Sequence, residues 1–190
     1  MRHDPCVLKR LTDGASILVR PIRAEDKRLL EDGLRHLSPE SVQRRFLTPK
    51  SSFSRSELRY LTEVDGRDHV ALVAEDPARM HLLEPSADGG DPSQPSRRLI
   101  AVGRFVRLHD DPEAAEVAIV VADHWQRRGV GSVMTELLAE EARRLGIRRF
   151  TATTASDNLP AHRLLRKLTS QLEHRHAGSG VDELVLPLAA

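Results

Sequence analysis

The stretch from Val117 to Leu145 constrains the fold of this chain more than any other. It opens on an apolar, β-branched run, Val117 to Val121, short enough and branched enough for a buried strand. A polar turn, Asp123-His124-Trp125, leads through Gln126-Arg127-Arg128-Gly129-Val130-Gly131-Ser132 into a helical pattern. Val130, Val133, Met134, Leu137, Leu138, Ala142 and Leu145 recur at three- and four-residue steps and make one face apolar. Arg143 and Arg144 stand in the last turn, where the helix dipole favours cations, and Gly146 supplies the stop. Strand, glycine turn and helix together make an anion site, because the first N–H groups of a helix have no intrahelical partner and carry partial positive charge. Gly129 and Gly131 let an anion approach the main chain, and Gln126, Arg127 and Arg128 add donors. The ligand this chemistry asks for is a pyrophosphate.

The turn lacks the Gly-Lys-Ser/Thr ending of a nucleotide-triphosphate loop and the three spaced glycines of a dinucleotide fingerprint. Gln126-x-x-Gly129-x-Gly131 after an apolar strand instead resembles the acyl-coenzyme A motif of the GNAT superfamily of N-acetyltransferases. The plainer reading is an ordinary strand-to-helix turn with solvated arginines.

The rest of the chain can be read around this unit. Val7 to Leu11, Thr12-Asp13-Gly14 and Ile17 to Ile22 predict a hairpin with Asp-Gly in its turn. A helix follows with Glu25 and Asp26 in its first turn and Leu29, Leu30, Leu34 and Leu37 as its buried stripe. Ser38-Pro39 starts a second helix, with Val42 and Phe46 facing the core and Arg44 and Arg45 facing away. Ser54 and Glu57 have capping-box spacing ahead of a third. His69 to Ala74 and Leu99 to Leu108 read as strands, the second with Gly103 at a bulge. Between them, about 76–97 is rich in Pro, Ser, Gly and Asp and predicts a flexible insertion. Phe150 to Thr154 is a further strand, Ser156 to Pro160 starts a helix, and the segment from Gln171 to Leu188, turning at Gly178-Ser179-Gly180, reads as a closing hairpin.

This order resembles the GNAT fold from about residue 16 to residue 188. The fold class implied is α/β, with a twisted mixed sheet flanked by helices and a V-shaped acyl-CoA cleft. Residues 1–15 read as an N-terminal strand extension and 16–190 as one domain. The resemblance implies that the backbone at Val120 and Val121 pairs with the pantetheine arm as an added strand would. It also puts the pyrophosphate on Gln126, Arg127, Arg128, Gly129, Val130, Gly131 and Ser132. The runs Ile17 to Ile22, Leu37 to Ser41, Arg45-Phe46 and Ala115 to Val121 look more specifically like the bacterial protein-lysine acetyltransferases. In that branch a glutamate at the position of Glu116 is the general base, a role that partial burial would favour. The structural alternative pairs Glu116 with Arg104 or Arg107. Asn158 stands where many relatives have an asparagine that bonds the CoA arm, and it equally suits a helix cap. Where many relatives carry a tyrosine acid, this chain has Leu165, and Thr169-Ser170 replaces a usual Gly-Phe.

Composition narrows the classes. With 29 Lys+Arg against 28 Asp+Glu, no charge excess points to nucleic acid. The single cysteine, Cys6, excludes an intrachain disulfide and a cysteine cluster for zinc. His109, His124, His174 and His176 show no metal-ligand spacing and read as surface residues, so no metal is expected. No apolar run reaches membrane-spanning length, which reads as a cytoplasmic protein, monomer or homodimer. The function expected is acetyl-CoA-dependent transfer of an acetyl group to a primary amine, a protein lysine for preference. A small amine as acceptor, or a non-catalytic acyl-CoA sensor, remains open.

Overall fold

The structure, a computed structural model, describes residues 6–77, 98–169, 171–178 and 180–188. The expected insertion lies, from residue 78 onward, outside the described residues, as do Ser170 and Ser179 and the side chain of His176.

Eight described strands form one mixed sheet, ordered β1-β2-β3-β4-β5-β6-β8-β7. The strands β1 (Val7–Arg10) and β2 (Ser16–Pro21) make the expected hairpin. After a single 3-10 turn come α1 (Lys27–Arg35), α2 (Pro39–Phe46) and α3 (Arg55–Thr62), then β3 (His69–Glu75) and β4 (Leu99–Arg107). The central unit is β5 (Ala114–Val121) and α4 (Val130–Arg144), and β6 (Arg149–Ala155), α5 (Leu159–Arg166), β7 (Glu173–Gly178) and β8 (Val181–Pro187) complete the chain.

Local chemistry starts the helices where the sequence predicts. Ser38 accepts from Ser41 N at 3.2 Å with Pro39 at the first helical position. Ser54 and Glu57 form a reciprocal capping box, Ser54 accepting from Glu57 N and Glu57 from Ser54 N.

The core lies on both faces of the sheet. On one, Leu138, Ala139 and Ala142 of α4 bury completely against Phe105, Val117 and Phe150, and Met134 of the same helix packs with Ile17, Val19 and Ala101. On the other, Leu30 and Leu58 pack with Ala71, Val73 and Leu99. Gly103 belongs to the first packing layer, not to a bulge. A Cβ there would stand 2.8 Å from Leu138 Cδ1 and 3.3 Å from Met134 Cε, so the glycine lets α4 press onto β4. The register shift falls at Ala74/Glu75 instead.

The pairing of β5 with its two neighbours positions the candidate site. Strands β4 and β5 pair along their whole length, from Ala101↔Val121 to Arg107↔Ala115. The parallel pairing of β5 with β6 covers only Ala114↔Arg149, Ala115↔Phe150 and Glu116↔Thr151. Beyond Glu116 the two strands diverge, and the β5 edge from Val117 to Val121 has no strand partner among the described residues.

Candidate functional site: the cleft between the diverging strands

The gap opened by β5 and β6 is a cleft of about 600 Å³. The open edge of β5 contributes Ile119, Val120 and Val121, and the turn into α4 contributes Gln126, Arg127, Gly129, Gly131 and Ser132. The far wall is α5, with Asn158, Ala161, Arg163, Leu164 and Lys167, and α2 adds Ser41, Arg44 and Arg45. Eight of the expected cofactor residues thus line one space: Val120, Val121, Gln126, Arg127, Gly129, Gly131, Ser132 and Asn158.

The turn is built for main-chain donors. Arg127 has φ 60 and Gly129 φ 93, two left-handed residues flanking Arg128 and turning the chain abruptly into α4. No side chain caps α4, so the N–H groups of its first turn face the cleft end. Gly131 has a second reason to be small, because a Cβ there would stand 3.2 Å from Leu164 Cδ2 of α5.

Several side chains act differently from expectation. Gln126 donates its amide to Ser41 Oγ (3.0 Å), Val121 O (3.1 Å) and Asp123 Oδ1 (3.2 Å), which braces the turn. Arg128 does not line the cleft: its Nε bonds Asp13 Oδ2 at 2.5 Å and its guanidinium stacks 4.0 Å from the Trp125 ring centroid. Val130 is buried, leaving only its backbone for an anion. Asn158 is the N-cap of α5, accepting from Ala161 N at 3.3 Å and donating to Thr154 Oγ1 at 3.0 Å, while also lining the cleft. Leu165 is buried in the core.

Asp123, read from sequence only as part of a turn, is a hub. Its carboxylate accepts from Ser38 N (2.8 Å), Ser38 Oγ (3.0 Å) and Ser41 Oγ (2.5 Å). Burial works to raise its pKa, but the bonds from Ser41 and Ser38 hold it below the usual carboxylate value. These bonds tie α2 to the turn before α4. The signal was present as Ser38-x-x-Ser41 and an aspartate just after the strand, but no local pattern joins positions so far apart.

Glu116 sits where β5 and β6 part, on the sheet face toward α2. It is exposed, not partly buried as expected. Neither Arg104 nor Arg107 pairs with it: Arg104 bonds Leu61 O and His69, and Arg107 bonds Asp68. Its electrostatic neighbour is Arg45. Contrary to the outward orientation expected of it, Arg45 lines the cleft, and burial pushes its pKa down against the pull of the Glu116 charge.

The histidines include a cluster that spacing did not reveal. His174 Nε2 lies 2.7 Å from Asp182 Oδ2, and His162 Nε2, buried and without a hydrogen-bond partner, lies 3.6 Å from the same oxygen. These are metal-ligand residue types with their ligand atoms within 4.8 Å of one another. The 2.7 Å contact is a hydrogen bond, shorter than the roughly 3.3 Å between two ligands on one tetrahedral zinc. The cluster joins α5 to the β7–β8 hairpin behind the cleft wall. No described helix is long and apolar enough to cross a membrane.

The sequence profile of the acetyltransferase (GNAT) family matches residues 50–169. Acetyltransferase Pat of Mycolicibacterium smegmatis is 30% identical over 174 residues, which cover 92% of this chain and 47% of that protein, so the chain spans about half its length. The crystal structure of the GNAT domain of S. lividans PAT superposes with a TM-score of 0.78 at 27% identity, covering 96% of this chain and 97% of that one. A Salmonella typhimurium protein solved with its cofactor acetyl-CoA has a TM-score of 0.62 over 91% of this chain and 94% of that one, and at 15% identity it bears on the fold alone. A diverging β5–β6 pair, a glycine turn into α4 and these matches have one explanation: the chain has the GNAT fold and belongs to the GNAT family of acetyltransferases.

Proposed function

We propose that this chain is an acetyl-CoA-dependent N-acetyltransferase that transfers an acetyl group directly to a primary amine, a protein lysine being the preferred acceptor. The observation that carries the proposal is the cleft at the β5–β6 divergence, which runs from an unpaired strand edge to an uncapped helix N-terminus. That edge offers main-chain groups to a pantetheine arm, and the first turn of α4 offers N–H groups to a pyrophosphate. Arg127 lines the same end of the cleft, and Arg163 and Lys167 of α5 add positive charge. Bound acetyl-CoA supplies the activated acetyl thioester.

Glu116 is the proposed general base. A lysine amine, with a reference pKa of about 10.4, is free base in only roughly one molecule in 10³ near neutrality. A carboxylate at the point where β5 and β6 part, with no hydrogen-bond or ion-pair partner among the described residues, is available to take that proton directly or through one water. Main-chain N–H groups near Val121 would stabilise the charge that develops on the thioester oxygen. With Leu165 in the tyrosine position, the leaving thiolate collects its proton from solvent.

Calorimetric titration with acetyl-CoA tests the site, with Arg127→Glu and Arg128→Glu alongside. Wild type should bind in the micromolar range. Arg127→Glu should weaken binding about 10- to 100-fold, the range of a charge-assisted hydrogen bond, and Arg128→Glu should do so less. No binding by the wild type would end the acyltransferase reading.

A further inference from the structure

Two buried arginines in this fold are treated in opposite ways. Arg20, 4% exposed, bonds Asp26 through both Nη atoms at 2.8 and 2.7 Å and also pairs with Glu75. Arg104, 6% exposed, has no carboxylate among the described residues. Its Nη1 donates to Leu61 O at 3.3 Å and faces His69 Nε2 at 3.2 Å. A guanidinium can only donate, so His69 is the acceptor and neutral. A buried cation with only neutral partners is costly to keep.

A second cation makes the imbalance worse. The charge of Arg45 reaches Arg104 and, after burial, is the next cause lowering its pKa, to about 10. Arg45 lies 5.1 Å over the Phe46 ring and has no ion pair among the described residues. Both arginines line a cavity of about 70 Å³ beneath α1, α2 and α3, whose other walls include Leu30, Leu34, Phe46 and Leu61. At one water per roughly 10–15 Å³ of such volume, it holds about five waters or one small acid group. Arg45 and Val120 also line the large cleft, so the cavity adjoins it across these two residues.

We propose that the Arg45–Arg104 cavity is a carboxylate subsite, in which an acid group on a short apolar stem seats between the two guanidinium groups. Paired N–H donors suit a carboxylate, and the apolar walls suit the stem. An anion there supplies the counter-charge that Arg104 lacks. The carboxylate arrives either on the acyl group, as in a dicarboxylic acyl thioester, or on the amine, as in an amino acid. This choice of source rests on the acyltransferase reading, whereas the subsite itself does not.

The direct test follows the arginine Nε–Hε signals by NMR during titration with pentanoate and, separately, pentanamide. Pentanoate should shift the Arg45 and Arg104 signals, and pentanamide should not. Two variants remove the site in different ways. Arg45→Gln deletes one half-buried guanidinium, and His69→Glu places a carboxylate at the same reach beside Arg104. Each should weaken pentanoate binding about 10- to 100-fold, the range for one charge-assisted hydrogen bond. Two further arms identify the source: calorimetry with succinyl-CoA against acetyl-CoA, and acetyl transfer to leucine against leucinamide. In one arm the wild type should favour the carboxylate by about tenfold or more, and both variants should erase the preference. No pentanoate shift, no preference in either arm, or a preference that survives both variants would overturn the subsite. Acetyl-CoA binding with any of these results removes the subsite alone. Absence of acetyl-CoA binding removes the acyltransferase reading, and the pentanoate titration still decides the subsite.

Discussion

Lowering the pH should destabilise this fold through His69 in a window that carboxylates alone would not produce. His69 is 9% exposed, its ring centroid is 4.7 Å from that of Tyr60, and its Nε2 is 3.2 Å from Arg104 Nη1. Burial first, and the Arg104 charge second, push its pKa from the ordinary 6.5 down to about 4, against a smaller opposing pull from Asp65. Between those values the unfolded chain binds a proton that the folded chain refuses. The contribution of His69 to stability is therefore complete above pH 6.5, falls as pH drops below that value, and is exhausted near pH 4. At about 1.4 kcal/mol per pH unit, the loss across the whole window is about 3 kcal/mol at most. Urea unfolding of wild type and His69→Gln from pH 7.5 to 4 isolates the effect, since the carboxylates common to both cancel in the difference. That difference should move against the wild type by about 2–3 kcal/mol on acidification. A flat difference, or a His69 ring that titrates by NMR near 6.5, would refute the reasoning. A carboxylate seated beside Arg104 offsets the guanidinium charge, so saturating pentanoate should move the same ring titration upward.

Glu116→Gln should leave acetyl-CoA affinity within about twofold while turnover falls about 10²- to 10⁴-fold, the usual contribution of a general base. Unchanged turnover in steady-state assays would remove Glu116 from that role. Asp123→Asn replaces a carboxylate that accepts from Ser38 N, Ser38 Oγ and Ser41 Oγ, and should cost about 1–3 kcal/mol in urea unfolding because the anchored helix end is partly exposed. An unchanged midpoint would show that α2 holds its place without the hub. Gly103→Ala puts a Cβ 2.8 Å from Leu138 Cδ1 and should lower stability by about 1–3 kcal/mol, measured as a drop in thermal midpoint. A neutral result would mean that Leu138 can turn aside.

The features that could be read from sequence are those encoded over one or two turns of chain. The Ser54–Glu57 capping box, the Ser38-Pro39 start and the apolar stripe of α4 each declare themselves within a few residues, and each stands where expected. The cleft was legible only by resemblance, because its cause is a register: three parallel pairs between β5 and β6, then none. No composition marks where pairing stops. Side-chain direction was the least legible. Gln126 and Asn158 carry the right groups for a ligand, yet both spend hydrogen bonds on the protein itself.

Arg45 shows why a helical pattern misleads at a cleft. Periodicity sorts a helix into a core face and a solvent face, and an arginine is assigned to solvent by default. A helix that walls a cavity has a third face, toward ligand, where an arginine is neither packed like leucine nor hydrated like a surface residue. Charge totals hide the same fact, since 29 basic and 28 acidic side chains look balanced. The balance is kept locally for Arg20, by carboxylates 6 and 55 positions along the chain, and is broken for Arg104. A fold that provides one buried arginine with two carboxylates and, among the described residues, denies the next any has the means to neutralise both, so the unmatched one, lining the inner cavity beside Arg45, is where an anion from outside belongs.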